Sequence, residues 1–127
     1  ATEFNKLCRG QMNQMMTDTR ILLSEGLKLA STTFTAARIA LGWVASELDQ
    51  FVIHQVSKVH TDSLVNLLGL DPKKVHAIYP EMGNIGPASV PIVLAKAAEL
   101  GKIRKGDRVA LLGIGSGLNC AMAEVVW

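Results

Sequence analysis

The stretch Gly83-Asn84-Ile85-Gly86-Pro87-Ala88-Ser89-Val90-Pro91 is where the fold can first be read. Proline has no backbone N–H, so a helix accommodates it only in the first turn, where that N–H has no partner anyway. Pro87 and Pro91 therefore place a helix start between about Gly86 and Val90. The helix then runs to about Leu100 and stops at Gly101. The glycines flanking Asn84 permit tight backbone geometry and close approach of a ligand. An Asn just ahead of a helix can aim its amide N–H at a developing oxyanion, helped by the free helix N–H groups. A plain turn Asn accounts for the position equally well on local evidence.

Downstream, Lys105-Gly106-Asp107 is a turn and Val109 to Ile114 reads as a buried strand. Gly113, Gly115 and Gly117 are expected to break it. Leu118 to Trp127 alternates well enough for a last strand, paired back as a hairpin. The loop Gly113-Ile114-Gly115-Ser116-Gly117 superficially resembles a phosphate-binding loop. No Lys-Ser/Thr pair follows it, however, and the sequence beyond reads as strand rather than helix. Close approach of the backbone to a ligand or another strand explains these glycines better.

Upstream, Val75 to Tyr79 reads as a short strand and Asp71-Pro72 as a turn. Before them comes a helix capped by Ser57 and ended by Gly69, with Val59, Leu64, Leu67 and Leu68 as its apolar face. Phe51-Val52-Ile53-His54 is a buried strand. Its C-terminal end carries His54, and ligands of α/β sheets sit at such ends. The alternative is a core or rim His with one satisfied hydrogen bond. Farther back, Ser46 to Asp49 is a turn and Ala36 to Val44 a helix. The β-branched run Ser31 to Thr35 is expected to interrupt an earlier helix. That helix starts near Arg20, repeats Ile21, Leu22, Leu23, Leu27 and Leu29, and has Thr17 or Asp18 as its cap. Residues 1–19 show no period. The predicted order is α-α-β-α-β-α-β-β, a mixed α/β sheet covered by helices. It divides into a leading segment with the first helix (1–35) and a main segment (36–127).

Bulk properties narrow the function. About half of the 127 residues are apolar and the net charge is +2, a globular composition with too little charge to neutralise a phosphate backbone. Nucleic acid is therefore not an expected partner. The apolar runs are too short to span a bilayer, and residues 1–20 have no signal-peptide core. Cys8 and Cys120 lie far apart with no CxxC or metal-ligand spacing. A soluble, reducing, cytoplasmic setting is expected. Cys120 reads as a small core hydrophobe on the last strand, Cys8 as a thiol with no sign of activation. His60 on a helix and His76 on a strand rim read as surface residues. The chain begins with Ala1, which fits a fragment and fits Met removal equally.

Together these segments resemble the ketoacyl synthase III enzymes of the thiolase superfamily. Phe51-Val52-Ile53-His54-Gln55 resembles their His-Gln motif. Gly83 to Pro91 is similar to their Gly-Asn-x-x-x-Ala-Ser-Val-Pro motif. Gly101-Lys102-Ile103 with Lys105 to Val109 resembles their turn into the penultimate strand, and Gly113 to Gly117 their Gly-rich loop. The resemblance covers about Ala36 to Trp127, in order and at the right spacing. A finer likeness, in Pro80-Glu81-Met82 and in Gly113 to Met122, is to the branch that condenses long-chain acyl-CoAs at the start of head-to-head olefin biosynthesis. Ser57 and Ile114 depart from the fatty-acid-initiating synthases, which usually carry an Asn and an aromatic there.

The resemblance implies the C-terminal half of a thiolase fold, with the nucleophilic Cys in an N-terminal half outside this sequence. Neither Cys8 nor Cys120 matches that Cys. It implies that His54 and Asn84 are catalytic and hydrogen-bond the thioester carbonyl of the second substrate. It further implies that the backbone near Ser116 forms another oxyanion hole, and that Gly86, Ile114 and Gly115 contact substrate. Long-chain acyl-CoA would be the substrate and CoA only its carrier, with no cofactor and no metal. The complete enzyme would be a homodimer, with a glutamate borrowed across it. The alternatives are a synthase using malonyl carrier protein and a non-catalytic subunit completing another chain.

Overall fold

The computed structural model describes residue 10 and residues 17–127. Its elements are helix α1 (Thr19–Leu41), strand β1 (Gln50–Ile53), helix α2 (Lys58–Leu68), the single turn α3 (Tyr79–Met82), helix α4 (Ser89–Glu99), and strands β2 (Arg108–Gly115) and β3 (Asn119–Val126). β1 pairs in parallel with the central β2, with Phe51 beside Ala110 and Ile53 beside Leu112. β2 and β3 form the expected antiparallel hairpin, Arg108 facing Val126 and Gly115 facing Asn119.

The sheet is covered on both faces. Phe51, Ile53, Ala110 and Leu112 join Ala30, Phe34, Leu64 and Val65 in a core beneath α1 and α2. Val52 and Val109 point the other way, into a core with Val93 and Ala97 of α4. This two-sided burial is why β1 reads as an unbroken apolar run: a parallel strand covered on both faces has no water side to alternate toward. On β3, one of the two edge strands, alternation returns, with Cys120, Met122 and Glu124 less exposed than Ala121 and Ala123.

Four details differ from the sequence reading. The Ser31 to Thr35 run does not interrupt the first helix, and α1 is continuous to Leu41. The hydroxyls of Thr32, Thr33 and Thr35 donate to the carbonyls of Lys28, Leu29 and Ser31, one turn back, so their polar groups are satisfied inside the helix. The core of Ala30, Phe34 and Ala37 outweighs their modest propensity cost. Secondly, α2 buries Thr61, Leu64 and Val65, whereas Val59 (65% exposed) and Leu67 (49%) face outward. The Ser57 cap holds, its Oγ accepting from His60 N–H. Thirdly, no strand forms over Val75 to Tyr79. Val75 makes one isolated bridge to Phe51, and Tyr79 already opens α3. Finally, Gly113 and Gly115 do not break β2, which runs through to Gly115.

Candidate active site

His54 follows the last residue of β1, and its N–H still donates to the Leu112 carbonyl at 2.9 Å. Side-chain alternation ends there. Ile53 faces α1 and α2, and His54 stays on that side, lining a narrow cavity with Leu27 and Ala30 of α1, Leu64 of α2 and Ile114 of β2. Partial burial in this apolar lining pushes the imidazole pKa below its ordinary value, while hydrogen bonding to the Gly86 backbone opposes the shift.

Gly86 also holds Asn84. Its N–H donates to Asn84 Oδ1 at 3.0 Å, which leaves the side-chain NH2 to serve another acceptor. Gly83 makes this loop possible: at φ 63° and ψ −147° it occupies backbone space that is essentially glycine's alone. Pro87 then stands in the first turn of a 3-10 segment, Gly86–Ala88, that leads into α4. The helix start therefore lies where the prolines put it. Gly86 thus stands beside both predicted hydrogen-bond donors: its N–H holds Asn84, and its backbone lies next to the His54 ring.

Two further side chains fix this arrangement. Gln55 is fully buried; its Nε2 donates to the His76 carbonyl at 2.6 Å, and its Oε1 accepts from Ile78 N–H and Tyr79 N–H. The Gln55 N–H donates to Ser89 Oγ at 2.9 Å, and Ser89 is likewise fully buried. The strand end bearing His54 is thus bonded to the first residue of α4, whose preceding loop bears Asn84. The sequence reading quoted both residues but gave neither a role. The signal was a polar side chain beside an apolar strand and another in a helix's first turn.

On the hairpin, Ile114 reaches the cavity, while Gly115 and Ser116 continue past it into the turn. The Ser116 carbonyl accepts from Asn119 Nδ2 at 3.1 Å. Gly117 has φ 134°, and a Cβ there would lie 2.6 Å from Asn119 Nδ2, so this turn demands glycine. Cys120 lines the cavity. Burial pushes its thiol pKa up, and a hydrogen bond with Thr33 only partly offsets this. That is the environment of an inert thiol, not of an activated nucleophile. Cys8 lies outside the described residues. Among the described residues no three His, Cys, Asp or Glu side chains gather to hold a metal ion.

Residues 39–127 match the family described as 3-oxoacyl-[acyl-carrier-protein (ACP)] synthase III C terminal. The chain belongs to this family. An acyl-CoA:acyl-CoA alkyltransferase of Xanthomonas campestris is 68% identical over the whole chain, which covers 38% of that protein. A crystal structure of Xanthomonas campestris OleA with bound lauric acid and lauroyl-CoA superposes on the whole chain with a TM-score of 0.86 at 68% identity, and the chain covers 38% of it. A 3-oxoacyl-(acyl carrier protein) synthase III, FabH, from Xanthomonas oryzae pv. oryzae gives the same TM-score, 0.86, identity, 68%, and coverages, 100% and 38%. The chain spans little more than a third of the length of these relatives. The mixed α/β, thiolase-type fold that the motifs imply is therefore the fold of this synthase III chain.

Within the synthase III fold, two histidines sit differently from the sequence reading. His60 is not a surface residue. It is half-buried, and its ring meets that of His54 edge-to-face, centroids 6.4 Å apart and planes at 82°. The Ser57 cap puts residue 60 in the first turn of α2, which brings it back beside the strand end. His76 rims no strand. Its carbonyl takes the Gln55 bond, and its Nδ1 lies 2.8 Å from Lys102 Nζ. Among the described residues no helix is long and apolar enough to cross a membrane.

Proposed function

We propose that this chain is the enolate-stabilising C-terminal part of an acyltransferase that joins two fatty acyl-CoAs by non-decarboxylative Claisen condensation, opening olefin biosynthesis. The observation that carries the reading is the placement of His54 and Asn84 beside one residue, Gly86, whose N–H donates to Asn84 Oδ1 and leaves the Asn84 NH2 to donate. The alkyltransferase name of the Xanthomonas campestris relative supports the substrate class.

In this reading one acyl-CoA acylates a Cys thiolate of an N-terminal half, and CoA leaves as the thiolate, which takes up a proton from solvent. A general base removes the proton next to the thioester of the second acyl-CoA. The enolate oxygen takes hydrogen bonds from the His54 ring N–H and the Asn84 amide. The enolate carbon attacks the acyl-enzyme carbonyl, whose oxyanion is held by backbone N–H near Ser116. Collapse expels the Cys thiolate and yields a 2-alkyl-3-ketoacyl-CoA. Gly86, Ile114 and Gly115 line the substrate's path. CoA is a carrier, and the steps ask for no metal or cofactor. The working enzyme is a cytoplasmic homodimer. The 127-residue chain alone, with Cys120 partly buried and its thiol pKa raised, releases no CoA from acyl-CoA.

The test is His54→Ala in the full-length protein. Condensation is expected to fall about a hundred- to a thousandfold, while mass spectrometry still finds the acyl-enzyme. Loss of acylation itself would place His54 on the nucleophile instead. The second reading, a decarboxylating synthase using malonyl carrier protein, is favoured by the equal likeness to the Xanthomonas oryzae FabH structure. A substrate panel of malonyl carrier protein against long-chain acyl-CoA separates the two. A chain that only completes a partner's fold would tolerate both His54→Ala and Asn84→Ala.

A further inference from the structure

The cavity behind His54 contains a second imidazole that the reaction above does not use. His60 N–H donates to Ser57 Oγ at 3.3 Å, which fixes its backbone in the first turn of α2. Its ring meets His54 edge-to-face at 6.4 Å. Its Nδ1 is sealed from solvent and has no hydrogen-bond partner among the described residues. A sealed N–H without an acceptor is costlier than a bare lone pair, so the His60 proton belongs on Nε2. A second proton would put a charged donor into that same dry spot. His60 is therefore held uncharged by where it sits.

We propose that His60 is a positioning residue for His54: its uncharged ring braces the His54 imidazole edge-to-face, holding one rotamer and keeping it an uncharged N–H donor. The proposal rests on the reading of His54 as donor to the thioester carbonyl. An uncharged imidazole strengthens its hydrogen bond as the enolate charge grows and need not surrender a proton to it.

The surroundings act in the same direction. Among the described residues, the only other titratable groups lining the cavity are His54 and Cys120. On α2, Lys58 and Asp62 pair with each other on the exposed side, and on α1 Glu25 and Lys28 do the same. No carboxylate among these is left to support an imidazolium. Burial pushes the pKa of both imidazoles down, and for His60 the proximity of His54 pushes it further.

The test compares His60→Ala and His60→Phe in the full-length protein. Three quantities are read: the pH–rate profile of condensation, acylation of the Cys by mass spectrometry, and the His54 ring titration by NMR of carbon-13-labelled histidine. His60→Ala admits water to the His54 ring. Its titration and the acid limb of the profile should both move toward neutral pH, so that condensation is several-fold slower at the acid end and recovers at the alkaline end. His60→Phe keeps a flat, uncharged ring and should restore both to their original positions. An unchanged His54 titration in the Ala variant overturns the proposal, as does a loss equal at every pH that Phe does not rescue. Should the Ala variant not fold, a Phe variant whose acid limb has moved to neutral pH overturns it equally. Normal condensation by His54→Ala would instead remove the donor reading, while the NMR titration would still report on the brace.

Discussion

At the scale of single residues, Asn84 offers the sharpest test, because its two side-chain atoms do different work. Oδ1 is committed to the Gly86 N–H, and only the NH2 is left to meet a substrate oxygen. Asn84→Asp keeps the acceptor and hence the loop, but replaces the donor by an oxygen. At neutral pH it also sets a carboxylate where, in the proposed reaction, negative charge develops, which is repulsive in a water-poor site. Asn84→Ala deletes both functions. Both variants of the full-length protein should lose condensation by about a hundredfold or more, Asp at least as severely as Ala. The thermal midpoint should fall less for Asp. Full activity in the Asp variant would return Asn84 to the rank of a turn residue. Sequence made this residue visible through its flanking glycines, and His54 through its place at a strand end. It hid His60, because a histidine in a helix carries no mark of which face it occupies. The one cue was Ser57, three residues ahead, whose cap sets the helix phase.

At the scale of elements, the site depends on a bond between two that are distant in sequence. Ser89 Oγ accepts the N–H of Gln55, and both residues are fully buried. Ser89→Ala leaves that N–H buried without a partner, at a cost of about 1–3 kcal/mol. The unfolding midpoint of the full-length protein should drop accordingly. Condensation should fall more than acylation, since the bond aligns the His54 strand end with the Asn84 loop. Equal losses in both steps would reduce Ser89 to a purely structural residue. The elements themselves were legible where one physical rule governs: proline fixed the start of α4, two-sided burial marked β1 and β2, and glycine marked the end of α2. They were illegible where two rules compete. Threonines that satisfy their hydroxyls on the preceding turn are compatible with a helix, and only the packing of Phe34 and Ala37 decided that α1 continues. Val75 to Tyr79 has the composition of a strand, yet Gln55 takes the Ile78 and Tyr79 N–H groups that a strand partner would need.

At the scale of the whole molecule, the same placements tie stability to pH. His54, His60 and His76 all have pKa values pushed below the ordinary 6.5, chiefly by burial. The folded chain thus binds fewer protons than the unfolded chain once the pH falls below that value. Stability rises with pH wherever the unfolded state holds more protons. The histidine contribution is therefore complete above 6.5 and is lost as the pH falls through 6.5 toward the lowered folded values. A second loss follows at lower pH. Glu124, held below the ordinary 4.5 by its bonds to Arg108 and helped by the one from Trp43, adds stability above 4.5 that disappears as it is protonated. Urea midpoints of the full-length protein should decline as the pH falls below about 6.5. The decline should be shallower in His60→Phe, which removes one titrating ring and keeps the packing. Glu124→Gln should leave this upper window unchanged and flatten only the lower one. An upper slope that His60→Phe does not alter would mean that His60 titrates in the folded protein much as it does unfolded, contradicting the dry setting of its Nδ1.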